Sequence, residues 1–399
     1  MRKIIISAAA AVMALSTTAS ALEDIKVNGQ AKVWYESSDK GAADLLNKNG
    51  ASGEVVFKLG MTGKQGNVGF GATVYQNSTM GLEGGLVSAA RTNAVNGAMY
   101  VGEAYITTPI SENTLLKFGK QELQTPLAFT EKWNASPNTF NAAVAINSSL
   151  DNVTIIGAYV GQDNTNLMNS TGTALNGAAW KSDGEVSQNY FGAGATTFAL
   201  GALYKNNGLA VNAWAYEIST VAKAFWVDAA VNVANVNVKA YAATMMASDS
   251  VKALFPDDTT AFALSAGTAV SGVKLFAAAS MVSDDAGIPV ANTSTNFKKT
   301  KLPTAGVYTD GMYVAQPDSM AIKVKAAGKI GSTGLALQAV NNSNDSVAAK
   351  ETTEIDLIIT QKVGDINLKG ILMNRSFSDD ATDKSTGATH VRVIASVNF

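Results

Sequence analysis

Short amphipathic stretches recur along this chain, joined alternately by a tight turn and a long polar connection. This rhythm limits the possible folds more than any other feature. The stretches run Val27–Glu36, 54–61, Val68–Tyr75, Tyr100–Thr108, Thr114–Gln121, Ala142–Leu150, Val153–Gln162, Tyr190–Leu200, Leu209–Ile218, Ala222–Val233, Val236–Ser248, Thr260–Val270, Val273–Ser283, Met320–Lys329, Leu335–Asn342, Glu354–Val363, Ile366–Ser376 and Ala388–Phe399. Within most of them apolar and polar residues alternate, so the two faces of an extended strand meet different surroundings. Most are about 9 to 12 residues long, the length of a tilted strand crossing a bilayer. The pattern predicts an all-β transmembrane antiparallel barrel of about eighteen strands, with sixteen as the alternative, short periplasmic turns on one side and long extracellular loops on the other. A soluble β-sandwich shares the alternation but accounts for neither the loop asymmetry nor the last strand. That strand carries Val391, Val393, Ala395, Val397 and Phe399 on one face, with Ile394 the apolar intruder on the other. Left as an open edge it would invite aggregation. In a barrel it closes against Val27–Glu36.

Composition agrees with a barrel. Charged residues make up 16% of the chain and Gly numbers 35, yet no apolar run after Ala21 is long enough for a helical span. The formal net charge of −2 gives no footprint for nucleic acid. Arg2 and Lys3, the apolar run Ile4–Leu15 and the small residues Ala19-Ser20-Ala21 form an export signal. Residues 1–21 are therefore expected to be removed, leaving 22–399 as one barrel domain destined for the bacterial outer membrane. There is no Cys to staple it.

With apolar rows set toward lipid, a lumen wall can be read off. It carries Lys32, Lys58, Glu103, Lys117, Lys239, Lys323, Lys325, Lys369, Arg375 and Arg392, together with Lys274, Lys362, Glu36, Glu54, Asp228, Glu354 and Asp356. Charges at bilayer depth cost ~2–4 kcal/mol on the lipid side, which demands this sorting. Tyr35, Tyr75, Tyr100, Tyr159 and Tyr190 are expected as an interfacial girdle. Most other acids lie in loops, among them Asp163, Asp183, Glu185, Asp284, Asp285 and Asp380, so the sign of ion selectivity stays open.

The connection 122–141 combines Phe129, Trp133 and Phe140 with Glu122, Glu131 and Lys132. Three large aromatics suit a loop folded into the barrel, where its charges would constrict a pore. The single histidine, His390, on the polar row of the last strand, reads as a rim residue rather than a catalytic one, and no enzyme activity is expected.

Phe118-Gly-Lys-Gln121, Asn147-Ser-Ser-Leu-Asp-Asn-Val-Thr154, Ala213-Trp-Ala-Tyr216 and Phe225-Trp-Val-Asp-Ala-Ala230, with the terminal Phe399, resemble the major outer membrane porins of Campylobacter and related bacteria. The resemblance implies an eighteen-stranded general-diffusion porin, a homotrimer in outer-membrane lipid, inserted by the barrel-assembly machinery through Phe399 and passing ions and small hydrophilic solutes. A surface adhesin with incidental transport is the alternative. No cofactor is required. The resemblance also implies cation preference and Ca2+ near the constriction, for which Glu103, Glu122, Glu131 and Asp151 are candidates by position alone. The barrel reading predicts that the unheated protein migrates differently from the boiled one in detergent gels, with a trimer band. Identical mobility would favour the sandwich.

Overall fold

A computed structural model describes residues 22–40, 44–82, 85–90, 99–164, 196–283, 286–295, 297–345, 351–379 and 384–399. The proposed export signal, Tyr190 and the loop acids Asp183, Glu185, Asp284, Asp285 and Asp380 lie outside them.

The described residues form one closed antiparallel sheet: β1 (Glu23–Ser38), β2 (Ala51–Gln65), β3 (Val68–Ser78), β4 (Ala89–Ala90), β5 (Met99–Ser111), β6 (Thr114–Gln121), β7 (Phe140–Leu150), β8 (Val153–Asp163), β9 (Thr197–Asn206), β10 (Leu209–Ile218), β11 (Ala222–Val233), β12 (Val236–Ala247), β13 (Thr259–Val270), β14 (Val273–Val282), β15 (Ser319–Ile330), β16 (Thr333–Asn344), β17 (Glu351–Val363), β18 (Ile366–Asp379) and β19 (Lys384–Asn398). The two-residue β4 pairs with β2 in parallel, and β3 pairs directly with β5, so eighteen strands are staves of the barrel. Each stave pairs with its neighbours in sequence, and β1 pairs with β19 to close the ring. The closed ladder leaves no edge of unpaired amides, which is what hydrocarbon demands of a spanning sheet.

The connections sort by length. Two-residue turns join β2 to β3, β5 to β6 and each later odd–even pair from β7 to β17, while the wider loops lie at the other rim. Asn207 and Gly208 both take positive φ, 47° and 82°, and Ser271-Gly272 does the same. A two-residue hairpin of this kind follows the twist of its strands, and Asn-Gly is its strongest sequence signal. That turn corrects the expected span Tyr190–Leu200: the stave is Thr197–Asn206, running straight into Asn207-Gly208.

The outer face is apolar. Phe57, Phe118, Phe198, Phe225, Phe262, Ile322, Leu357 and Val393 are exposed along it. Ile394 points inward instead, where it packs beside Trp34, Val56, Tyr75, Tyr100 and Ala135. Tyr75 and Tyr100 belong to this inner cluster, buried and stacked with ring centroids 5.4 Å apart, and not to a lipid-facing girdle. Their place follows from row parity: Phe70, Ala72 and Val74 take the outer row of β3 and turn Tyr75 inward.

The seam is tight at the short-turn rim. Gly29 and Phe399 exchange backbone hydrogen bonds of 2.7 and 3.0 Å. A Cβ on Gly29 would lie 2.2 Å from the Phe399 ring. Gly29→Val is therefore expected to weaken the seam by about 1–3 kcal/mol, the usual cost of overpacking, and to lower the temperature at which the barrel loses its fast-migrating form. An unchanged melting temperature would show that the Phe399 ring moves aside freely.

Candidate pore constriction

Two loops enter the barrel from the long-loop rim. The first, residues 122–139, joins β6 to β7. Its Leu127, Phe129, Glu131, Ala135, Ser136 and Asn138 are buried. It is fastened to the inner wall by Lys32 on β1, which donates to the Asn134 and Ala135 carbonyls (3.5 and 3.1 Å), and by Asn77 on β3, which donates to Ser136 Oγ (2.9 Å). The second loop, residues 286–318, joins β14 to β15. Its lysines and aromatics resemble those of the first (Phe297, Lys298, Lys299, Lys301, Tyr308, Tyr313), a signal that reading for strands alone passes over.

The loops clasp each other through side chains that imitate a strand partner. Asn292 Oδ1 accepts from the Phe129 amide (3.2 Å), and Asn292 Nδ2 donates to the Phe129 carbonyl (3.0 Å). The Thr293 amide donates to the Leu127 carbonyl at 2.9 Å. Thr295 Oγ1 donates to Glu131 Oε1 at 2.5 Å, and Asn134 Nδ2 donates to Glu131 Oε2 at 3.3 Å. Such pairs are needed because an unpaired buried polar group costs ~1–3 kcal/mol.

Behind the clasp lies an apolar core inside the barrel. Leu123, Leu127 and Phe140 meet Trp214, Tyr216, Trp226 and Met245 of β10–β12, and Ile288, Val290, Phe297 and Leu302 of the second loop. Small inward residues, Ala222, Ala224, Ala243 and Ala261, make room for them. Gly201 does the same for Trp214, whose ring lies 2.7 Å from where a Cβ would be. The rule that inner rows are polar thus fails on β10–β13, where both faces are buried against something apolar.

The other side of the interior is wet and charged. A cavity of about 430 Å³ is lined by Gln30, Lys32, Lys58, Tyr75, Glu122 and Lys132. Glu122 and Lys132 form an ion pair of 2.5 Å at its edge. Glu131, expected beside them as a pore-facing charge, is instead 2% exposed and holds the loops together. The loop does fold inward, but Glu131 turns toward Asn292 and Thr295 of the second loop and away from the pore.

The wall residues fall as follows. Arg392 pairs with Glu36 (2.6 Å) and Lys239 with Asp228 (2.7 Å). Lys117 lies over the Tyr105 ring at 3.7 Å, and Glu103 accepts from Thr73 at 3.2 Å. Lys323 donates to the Ala305 carbonyl. Lys58, Lys325 and Lys369 face the lumen and keep part of their surface exposed. Arg375 is buried against the rings of Tyr308, Tyr313 and Phe377. His390 packs on Tyr308, with centroids 5.0 Å apart, and its Nε2 has no hydrogen-bond partner among the described residues. Lys299 and Asp310 form a buried ion pair of 2.9 Å that the sequence reading missed.

Among the described residues no three His, Cys, Asp or Glu side chains are grouped to hold a metal ion. Asp151 sits in a turn at the short-turn rim and Glu131 is enclosed by the loop clasp. The oxygen donors suggested for calcium therefore do not converge.

No family model matches the chain, and no curated protein sequence matches it either. Solved structures do. Pseudomonas aeruginosa OpdO aligns with a TM-score of 0.72 over 95% of this chain and 98% of its own, at 14% identity. Acinetobacter baumannii OccAB3 gives 0.70 over 94% and 99%, at 13% identity. Pseudomonas aeruginosa OpdK with vanillate gives 0.67 over 94% and 98%, at 13% identity. This chain has the fold of these proteins. These neighbours support an eighteen-stranded porin-like barrel and not the Campylobacter porins specifically.

Burial pushes Glu131 above the usual carboxylate range, and the Thr295 hydroxyl and Lys299 draw it back only in part. The clasp therefore binds a proton more tightly than the unfolded chain does. The stabilisation linked to that proton is fully present below the ordinary glutamate value and is lost as pH rises through the raised one. Hydrogen exchange over 122–139, corrected for its intrinsic pH dependence, should show protection falling in that direction. Glu131→Gln should flatten the dependence, and Glu131→Ala should cost the clasp about 1–3 kcal/mol at any pH.

Proposed function

We propose that this chain is a passive outer-membrane channel for ions and small hydrophilic solutes. The observation that carries the reading is the division of the interior. An apolar core fills the side of β7–β14, and a cavity lined by Lys32, Lys58 and Lys132 lies beside the first inward loop. A channel of this kind needs a closed ring, a wet path and a fixed narrowing, and side chains along the path set selectivity. The fold shared with the Pseudomonas and Acinetobacter proteins supports it, as does the apolar outer face. Assembly as a homotrimer is part of the proposal and rests on the porin resemblance.

The path favours anions. On the wall, Glu36 and Asp228 are held in ion pairs, Glu354 is enclosed by backbone amides, and Glu54 and Asp356 are buried. Glu122 is matched by Lys132. Lys58, Lys325 and Lys369 remain turned to the water with no carboxylate in salt-bridge contact among the described residues. Rings of such charge attract the opposite sign.

The test is conductance of the purified protein in planar bilayers. Stable openings are expected, with a zero-current potential under a KCl gradient on the chloride side. Lys325→Glu with Lys369→Glu should move that potential toward potassium. Absence of any channel would remove the transport reading and leave a surface barrel; a potassium-side potential in the unaltered protein would overturn the anion preference alone.

A further inference from the structure

We infer that Glu354 is the positioning residue that holds the second inward loop against the pore wall and so fixes the conducting shape of the channel. The inference rests on the channel reading above.

Glu354 lies on the inner row of β17 and is fully buried. No cation is recorded in salt-bridge contact with it among the described residues. Instead its carboxylate accepts from three successive backbone amides: Val307 at 2.5 Å, Tyr308 at 3.1 and 3.0 Å, and Thr309 at 2.7 Å. Successive N–H groups curled around one anion make a concave binding nest, here with the anion supplied by the wall. Gly306 permits the approach, since a Cβ there would lie 2.5 Å from Glu354 Oε1. An aspartate is a methylene too short to span the same three donors. A glutamine would turn an NH2 group toward amides that already donate.

The nest determines what the loop covers. The Tyr308 side chain packs on Arg375 and Arg392, with its centroid 5.2 and 5.1 Å from their guanidinium carbons, and on His390. Arg375 Nε and Arg392 Nη2 are buried there with no hydrogen-bond partner among the described residues. The clamp thus keeps Arg375, and beside it the Glu36-paired Arg392, under an aromatic lid and out of the solute path. Releasing it exposes them and lets the loop move within the pore.

Glu354→Gln and Glu354→Ala should each turn a steady single-channel level into a flickering one and shift the zero-current potential further toward chloride. Loss of the Glu354 charge alone would shift the potential without flicker, whereas a released loop gives both, and only the loop's contribution is reversed by a tether. Ser280 Oγ and Thr304 Oγ1 lie 2.6 Å apart, and the chain has no native cysteine. Ser280→Cys with Thr304→Cys therefore offers a tether independent of the clamp. In the Glu354→Ala background, oxidation should restore the steady level and bring the potential back toward the original, and reduction should abolish both. If Glu354→Ala does not form a heat-modifiable barrel, Gly306→Val serves in its place, because its side chain displaces the carboxylate from the nest. A wild type that conducts while these variants keep its current level, noise and potential would overturn the clamp. A wild type that does not conduct would overturn the channel reading instead.

Discussion

A ring of eighteen staves encloses more space than its own inward side chains can fill, and what occupies that space decides the rest of the structure. Water can fill it only where the wall is polar, and protein can fill it only where every buried amide finds a partner. This chain does both, on opposite sides. On β10–β13 the inner row shrinks to alanine and carries Trp214 and Trp226, and the two loops bring in leucine, isoleucine, valine and phenylalanine to complete a dry core. From β15 round through β19 to β2 the inner rows carry lysine, arginine and glutamine together with the acids Glu36, Glu54, Glu354 and Asp356, and only smaller apolar clusters form among the described residues. The open cavity lies on the charged side, against β1 and β2.

The polar clasps make that arrangement unique. Apolar packing alone would let two loops of mixed sequence settle in many ways. Asn292 facing both polar groups of Phe129, Glu131 meeting Thr295, and Glu354 meeting three amides each accept one register and leave buried groups unpaired in any other. Specificity here comes from the cost of the alternatives more than from the strength of the bonds formed.

Much of this was written locally and could be read. The staves announce themselves by alternation, and their number and pairing follow from turn length. Where the reading slipped, the cause lies in contacts that sequence order hides. The expected span Tyr190–Leu200 lies too early along the chain, because the two-residue turn at Asn207-Gly208 carries stave β9 on to Asn206. Tyr75 and Tyr100 have the sequence position of interfacial residues, but their partners Trp34 and Ala135 lie inside the barrel. Ile394 breaks the polar pattern of its row because Ala135 of the first loop belongs to the apolar cluster it packs against. Glu131 and Glu122 are similar in a linear text, and only the second loop, more than a hundred and fifty residues further on, separates a buried clasp from a solvent-facing ion pair. The second loop itself went unread although its aromatics and lysines resemble those of the first.

The seam between β1 and β19 also sets an order of events. Gln30 and Asn398 share a hydrogen bond across 368 positions of chain. Every other stave pairs with a neighbour close in sequence, at small loop-closure cost, so the sheet can grow by adding one hairpin to the next. The ring cannot close until the final strand exists. Until then the growing sheet carries two bare edges, one of them β1 itself, which must be shielded for as long as the remaining staves take to arrive. Closure thus serves as a check on length: a chain cut short at any stave keeps its adhesive edge and is distinguishable from the finished barrel by that edge alone.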